Sequence, residues 1–313
     1  MKPAYLITGA TGFLGKELNK AFCRHAVIDM LGRSRKNHIV CDLSSDTPQI
    51  DKAYDIVIHN AGKAHVVPKT ASDAEEFFQV NYHGTLNLLK SFEASHNLPK
   101  ALILISTVAV YGLENGALID ESCPLNASDP YGLSKSMAEE AVFKWGKKNE
   151  IPTGILRLPL VAGPLPPGNL HKMIKAQQTG YFFHIGQGDT RRSMVSASDV
   201  AAIIPKLAEV GGVYNLTDQY HPSFAELTSL FSKKLGLKDP YHVPFWVARS
   251  LAKIGDFYSF VLRRDAPFSS NSLSKMTSSL TFSDEKAKRL LNWQPQRVLH
   301  FFESLPKEDL VYD

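Results

Sequence analysis

Short apolar runs alternate with longer stretches of helical periodicity through the first half of the chain. Residues 4–7, 26–31, 39–41, 56–59, 102–105 and 154–158 are brief, apolar and often β-branched, which predicts strands buried on both faces. Helical periodicity fills residues 13–24, 73–96 and 131–148 between several of them. Such alternation predicts a doubly wound parallel α/β sheet, because parallel strands need helical crossovers. After Pro159 the texture changes: 163–168 read GPLPPG, and shorter helices with only brief strand candidates follow. The expected division is a first domain over 1–162 and a smaller α/β lobe over 163–313. Residues 196–217 are expected to return to the first domain as a helix and a strand. The strongly apolar segment 245–262 is expected to be a helix packed on the second lobe, with a membrane-surface helix as the alternative.

The first strand runs into TGATGFLG at 8–15 and then into a helix. Gly9, Gly12 and Gly15 allow a tight turn, a close approach to a pyrophosphate and a close helix–strand contact. The helix start adds free N–H groups and partial positive charge. A dinucleotide is therefore expected over Gly9, Thr11, Gly12, Phe13, Leu14 and Gly15. Arg33 stands at the end of the second strand, eighteen residues beyond Gly15, where an acidic residue would serve an unmodified ribose. An arginine suits a 2′-phosphate, so NADP is expected over NAD, with Arg35 as a helper and an ordinary loop arginine as the alternative. Asp42 and Leu43 follow the third strand, where Asp42 suits either the adenine amino group or a turn cap.

Asp129 and Pro130 mark a helix start ahead of Tyr131 and Lys135. Their i, i+4 spacing puts phenol and ammonium on one face. An ammonium beside a phenol of pKa about 10 is expected to favour the phenolate, fitting it for proton transfer at neutral pH. By spacing alone the two could be an ordinary surface pair. Position favours chemistry, since Ser106 and Thr107 end a parallel strand where such folds bind ligands. His59-Asn60-Ala61-Gly62 ends another strand, and Asn81 lies on a long helix.

Composition excludes more than it selects. The 313 residues carry a net charge of +4 spread along the chain, too weak a bias to argue for nucleic acid. Cys23, Cys41 and Cys123 have neither metal nor disulfide spacing, so buried, inert thiols in a reducing compartment are expected, with no metal site. No apolar run reaches about eighteen residues and no signal region opens the chain. A cytoplasmic protein without membrane insertion is expected.

Taken together, TGATGFLG, HNAG at 59–62, Asn81, Ser106-Thr107, YGLSK at 131–135 and LLNWQP at 290–295 resemble the extended short-chain dehydrogenase/reductase superfamily, NAD-dependent epimerase/dehydratase type. The resemblance covers essentially the whole chain and implies a Rossmann-type fold. It makes Thr107 the hydroxyl that orients the substrate, Tyr131 the acid/base and Lys135 its activator and a cofactor-ribose donor. It also places Asn60, Ala61, Gly62 and Asn81 around the cofactor cleft and Pro159 beside the nicotinamide. The second lobe resembles those of UDP-glucose 4-epimerases and bacterial nucleotide-sugar 4-ketoreductases of polysaccharide biosynthesis. There Asn169 and Arg192 would contact the substrate diphosphate, with Arg191 an alternative and Arg263 or Arg264 a second phosphate contact. Leu160 stands where epimerases usually carry asparagine, which with Arg33 leans towards 4-keto reduction over epimerization. Val108-Ala109 after Thr107 disfavours dehydration. Reduction of a non-sugar ketone or aldehyde, or non-catalytic NAD(P) binding, are the alternatives. The resemblance further implies a homodimer across helices 73–96 and 131–148.

Overall fold

Neighbouring residues of the central strands point into different cores, and this buries the sheet on both faces. In the computed structural model, Leu6 and Ile7, Val57 and Ile58, Leu102 and Ile103, and Ile155 and Leu156 each divide between two apolar clusters, as period-two geometry requires. The structure describes residues 1–262, 266 and 268–312. Arg263 and Arg264, the expected second phosphate contact, lie outside the described residues.

The chain runs β1 (Ala4–Thr8), α1 (Phe13–Phe22), β2 (Val27–Gly32), β3 (Ile39–Val40), β4 (Ile56–His59), α2 (Ala71–Phe77) and α3 (Gly84–Ser95). It continues through β5 (Ala101–Thr107), β6 (Gly116–Ile119), α4 (Pro130–Asn149) and β7 (Thr153–Leu158). The rest comprises β8 (Leu160–Ala162), α5 (Gly168–Gln178), β9 (Phe183–Ile185), β10 (Met194–Ser196), α6 (Ala197–Val210) and β11 (Gly212–Asn215). After these come α7 (Phe224–Leu235), β12 (Tyr241–Val243), α8 (Phe245–Leu262), α9 (Ser270–Thr277), β13 (Leu280–Phe282), α10 (Glu285–Leu291) and α11 (Val298–Ser304).

Seven strands form one sheet in the order β11-β7-β5-β4-β1-β2-β3, and every pairing in it is parallel. One face packs on α1, α6 and α10, the other on α3 and α4. Helix α6 covers the sheet and β11 extends it beyond β7. A third core joins α5, α7 and α11 in the second lobe. From β1 the chain first moves out to β2 and β3, then crosses back to β4. Ligand crevices form at such a reversal, outside the carboxyl ends of the strands.

Two expectations need correction, the continuous helix over 73–96 and the buried cysteines. The helix expected over 73–96 starts at Ala71, where Thr70 and Asp73 form a capping box. It is then interrupted by a wider π-type turn over Phe78–His83. The cysteines are not buried: Cys23 is exposed, and Cys41 and Cys123 are half-buried. Helix α8 does pack on the second lobe, but its large apolar side chains face outward, with Trp246 73% and Phe257 70% exposed. Among the described residues, no helix is long and apolar enough to cross a membrane.

Candidate active site

Four strand ends meet at the reversal point, and each contributes one part of the cleft. After β1 the chain turns through Gly9 at φ +66°, where a Cβ would lie 2.8 Å from the Ala61 backbone. The turn can therefore press against the loop after β4 only if position 9 is glycine. A Cβ on Gly15 would meet the Gly9 carbonyl oxygen at 2.2 Å, so the start of α1 sits directly on the turn. Helix α1 has no side-chain cap and no acidic residue in its first turn. Its first N–H groups and dipole fit a pyrophosphate. Thr11 is exposed at this turn. The Leu14 side chain is buried in the sheet core, leaving its backbone to face the turn, and Phe13 packs beside the same core.

The loop after β4 is held by a relay of hydrogen bonds. Asn60 Nδ2 donates to the Gly9 carbonyl at 3.2 Å, and the Ala61 N–H donates to Thr8 Oγ1 at 3.0 Å. Thr85 donates its hydroxyl proton to the Asn81 carbonyl at 2.6 Å, so it accepts from His59 Nε2 at 2.9 Å. His59 Nδ1 then accepts from the Thr8 hydroxyl at 2.8 Å. Burial, with Lys135 nearby, pushes the His59 pKa down to about 3, so the ring stays neutral in this relay. Asn81 is itself 1% exposed. Its amide ties the Lys63 backbone, at 2.7 and 3.2 Å, to the Ser134 hydroxyl of α4, at 3.0 Å. It shapes the cleft by latching the β4 loop to the helix that carries Tyr131.

Asp129 starts α4, its carboxylate accepting from the N–H groups of Tyr131 at 3.1 Å and Gly132 at 3.0 Å. One turn on, Lys135 is buried and donates Nζ to the Ile105 carbonyl at 2.6 Å. Burial pushes its pKa down to about 8, against the opposing pull of Glu139. The Tyr131 phenol faces the Thr107 side chain at the end of β5, whose Oγ1 accepts from the Ala109 N–H at 3.2 Å. Its pKa moves upward, opposite to the expected direction. Burial is the main cause and Asp129 adds to it, while the Thr107 side chain acts the other way. The ammonium is anchored on Ile105, so burial rather than an ion pair sets the phenol, which is protonated at neutral pH.

A second layer beneath these residues was not foreseen from the sequence. Glu139, the next residue on the Tyr131–Lys135 stripe, accepts from Arg157 of β7 through Nε at 3.2 and 3.1 Å and Nη2 at 2.7 Å. It also accepts from the Ser106 hydroxyl. Arg157 Nη1 donates to the Tyr111 hydroxyl at 3.0 Å, which donates to Asn215 Oδ1 of β11 at 2.8 Å. The carboxylate spacing after Lys135 was the available signal, but its partner lies on a different strand.

The remaining expected residues are more scattered. Arg33 is exposed at the end of β2. Asp42 accepts from Ser44 N at 3.0 Å and Ser44 Oγ at 2.7 Å, the turn-capping alternative. Burial works against its charge, but Ser44 and then Arg33 hold the carboxyl below its usual range. Leu43 is in the sheet core, its carbonyl accepting from Asn87 at 2.9 Å. Pro159 is half-buried just past the end of β7, and Asn169 is exposed in the first turn of α5. Arg191 is occupied on the surface by the His221 carbonyl at 2.9 Å and Glu226 at 3.4 Å. Arg192 differs: Nη2 donates to the Lys275 carbonyl at 2.6 Å, while Nη1 is buried with no protein partner. A buried guanidinium N–H without an acceptor suits an anionic ligand.

Comparison with known proteins follows this geometry. Residues 5–217 match the model of the NAD dependent epimerase/dehydratase family. The chain is 27% identical to a UDP-glucose 4-epimerase of Vibrio cholerae, covering 96% of this chain and 93% of that protein. It is also 27% identical to the N-acetyl-alpha-D-glucosaminyl-diphospho-ditrans,octacis-undecaprenol 4-epimerase of Escherichia coli O157:H7, covering 91% of this chain and 89% of that protein. Among solved structures, the fold resembles a Bacillus cereus UDP-glucuronic acid 4-epimerase in complex with UDP-glucuronic acid and NAD. The TM-score is 0.72 at 20% identity, over 98% of each chain.

Proposed function

The chain belongs to the NAD dependent epimerase/dehydratase family, and from that premise we propose that it moves hydride at C4 of a diphosphate-linked sugar. The observation that carries this is that Tyr131, at the start of α4, and Thr107, at the carboxyl end of β5, come close on the same edge of the sheet as the glycine turn, with β4 between the two strands. The nicotinamide, when bound, supplies or takes up the hydride. Gly9, Gly12, Gly15 and the first N–H groups of α1 hold the pyrophosphate, and the loop 60–62 and Pro159 border the rest of the cofactor. Thr107 holds the C4 oxygen. Tyr131 delivers its proton to that oxygen when a ketone is reduced, and removes one in the reverse direction. Lys135 keeps two N–H donors beyond the one given to Ile105, enough to grip the cofactor ribose. Arg192 and Asn169 take the substrate diphosphate.

Reduction with NADPH is the direction favoured. Arg33 suits a 2′-phosphate, and Leu160 replaces the asparagine usual in epimerases. Turnover of UDP-sugars and their 4-keto forms, followed by cofactor absorbance, tests this. Net NADPH consumption is expected, and a changed sugar without net redox would make it an epimerase. Tyr131→Phe is expected to lower kcat about 10²–10⁴-fold with cofactor affinity kept; near-wild-type turnover rejects the assignment. Arg33→Asp is expected to shift preference from NADPH towards NADH, and an unchanged ratio of KM values removes the cofactor argument.

A second substrate form is favoured by the outward apolar face of α8. The name of the E. coli relative joins its sugar to undecaprenol through a diphosphate. Arg192 would meet the same diphosphate in a lipid-linked sugar as in a nucleotide sugar.

A further inference from the structure

Helix α8 is turned inside out relative to an ordinary amphipathic helix. The stripe that faces the protein is made of small residues, Ala248, Ala252 and Gly255, at i, i+4 and i+7. Ala248 and Ala252 are fully buried with Leu273 of α9. A Cβ on Gly255 would lie 1.9 Å from the Phe268 carbonyl oxygen, so backbone contacts backbone along this side. The opposite side carries the large side chains: Trp246 is 73% exposed, Phe257 70%, Ile254 64%, Leu251 48% and Tyr258 43%. A lone exposed leucine needs no explanation, but a continuous apolar helix face does. Arg249 and Lys253, one turn apart and both exposed, line one edge of that face. The nearby acid, Asp256, is engaged by the Ser270 N–H at 3.0 Å.

We propose that α8 seats the protein on the surface of an anionic phospholipid bilayer. Apolar bulk with tryptophan on one face and cations along its edge is the chemistry of an interfacial helix, with rings at headgroup depth and the ammonium and guanidinium groups on the phosphates. The net charge of +4 adds attraction to such a surface. With 18 residues, α8 extends about 27 Å, and no described helix is apolar enough to span, so it lies in the plane. A second copy of the chain on the same face would bring Arg249 and Lys253 of both copies to one interface, whereas anionic headgroups neutralise them. Docking also has a use. The Lys275 carbonyl fixes Arg192 to α9, the helix on which α8 packs, so a seated α8 links the arginine with the free N–H to the bilayer through one helix pair. A polyprenyl-linked sugar would bring its diphosphate to that arginine from the bilayer. That last link rests on the lipid-linked form of the substrate given above; the docking itself rests on α8.

Sedimentation with vesicles tests the docking on the full chain, without cofactor or substrate. The wild-type protein is expected to pellet with phosphatidylethanolamine/phosphatidylglycerol vesicles and to partition about tenfold less into pure phosphatidylcholine. Two double variants, Trp246→Ser with Phe257→Ser, and Arg249→Glu with Lys253→Glu, should each lower partitioning on the order of tenfold or more. Both change only exposed positions, and an unchanged thermal midpoint shows the fold is intact. Wild-type protein left in the supernatant overturns the proposal, as does equal pelleting of both variants. It is also overturned by self-association that the Trp246/Phe257 variant abolishes while vesicles are ignored. Because pelleting needs no turnover, a negative result leaves Tyr131 in its role. Pelleting by an inactive Tyr131→Phe protein would keep docking apart from the chemistry.

Discussion

A buried ammonium is costly unless its protons are taken, and Lys135 has given only one of its three to the protein, at Ile105. The cost appears as a pKa pushed down to about 8, with Glu139 holding it from falling further. What Lys135 offers the cleft is a cationic donor, and that donor is lost as pH rises through about 8. The kcat/KM for ketone reduction is therefore expected to be level below this point and to fall above it, since burial keeps Tyr131 protonated well past it. Glu139 favours the charged lysine, so Glu139→Gln removes a charge that holds the pKa up and should move the alkaline limb to lower pH. A pH profile of both proteins checks the sign. A limb that stays put, or moves to higher pH, would mean another group titrates there.

At the scale of elements, the strands of the large sheet were legible because each is buried on both sides and so is apolar at consecutive positions. Residues 56–59 were expected as a strand and form one with the same bounds. The glycine turn, Tyr131 and Lys135 were legible for a related reason: their chemistry needs fixed local spacing, which a single sequence displays. Strands β8, β9, β10, β12 and β13 have three residues each, too few to carry a period, and they pair across long sequence separations. The π-type turn at Phe78–His83 was hidden because one wider turn barely disturbs the periodicity on either side. It carries Asn81, which latches the β4 loop to α4. The Glu139–Arg157 pair was hidden differently. Its members lie on α4 and β7, and only the crossover between those elements brings them together. In α8 the apolar content was visible but its direction was not. With alanine and glycine on one side and aromatics on the other, composition alone favoured burying the larger face, and the close approach to Phe268 permits only the smaller.

Around Arg192 an architectural contact can be told apart from a ligand contact. Its backbone bridges to Leu280, Nη2 is fixed by the Lys275 carbonyl, and the hydroxyl of nearby Thr190 donates to the Met276 carbonyl at 2.9 Å. Burial lowers the guanidinium pKa, with Glu114 opposing, so the charge sits in an environment that does not favour it. The unpartnered Nη1 adds a desolvated donor, which costs about 1–3 kcal/mol in the free protein and is repaid only when an anion arrives. If Arg192 were only a strut of the framework, Arg192→Met would destabilise the fold and leave substrate affinity alone. With the diphosphate as the missing acceptor, the same substitution should change stability by less than about 1 kcal/mol, because the lost Lys275 bond is offset by relief of the orphaned N–H. It should raise KM for the diphosphate-linked sugar roughly 10- to 100-fold, the equivalent of one charged hydrogen bond, with a much smaller change in kcat. Urea denaturation and steady-state kinetics on the one variant separate the two roles. A stability loss of several kcal/mol with unchanged KM would return Arg192 to the framework and leave the diphosphate without its principal cation.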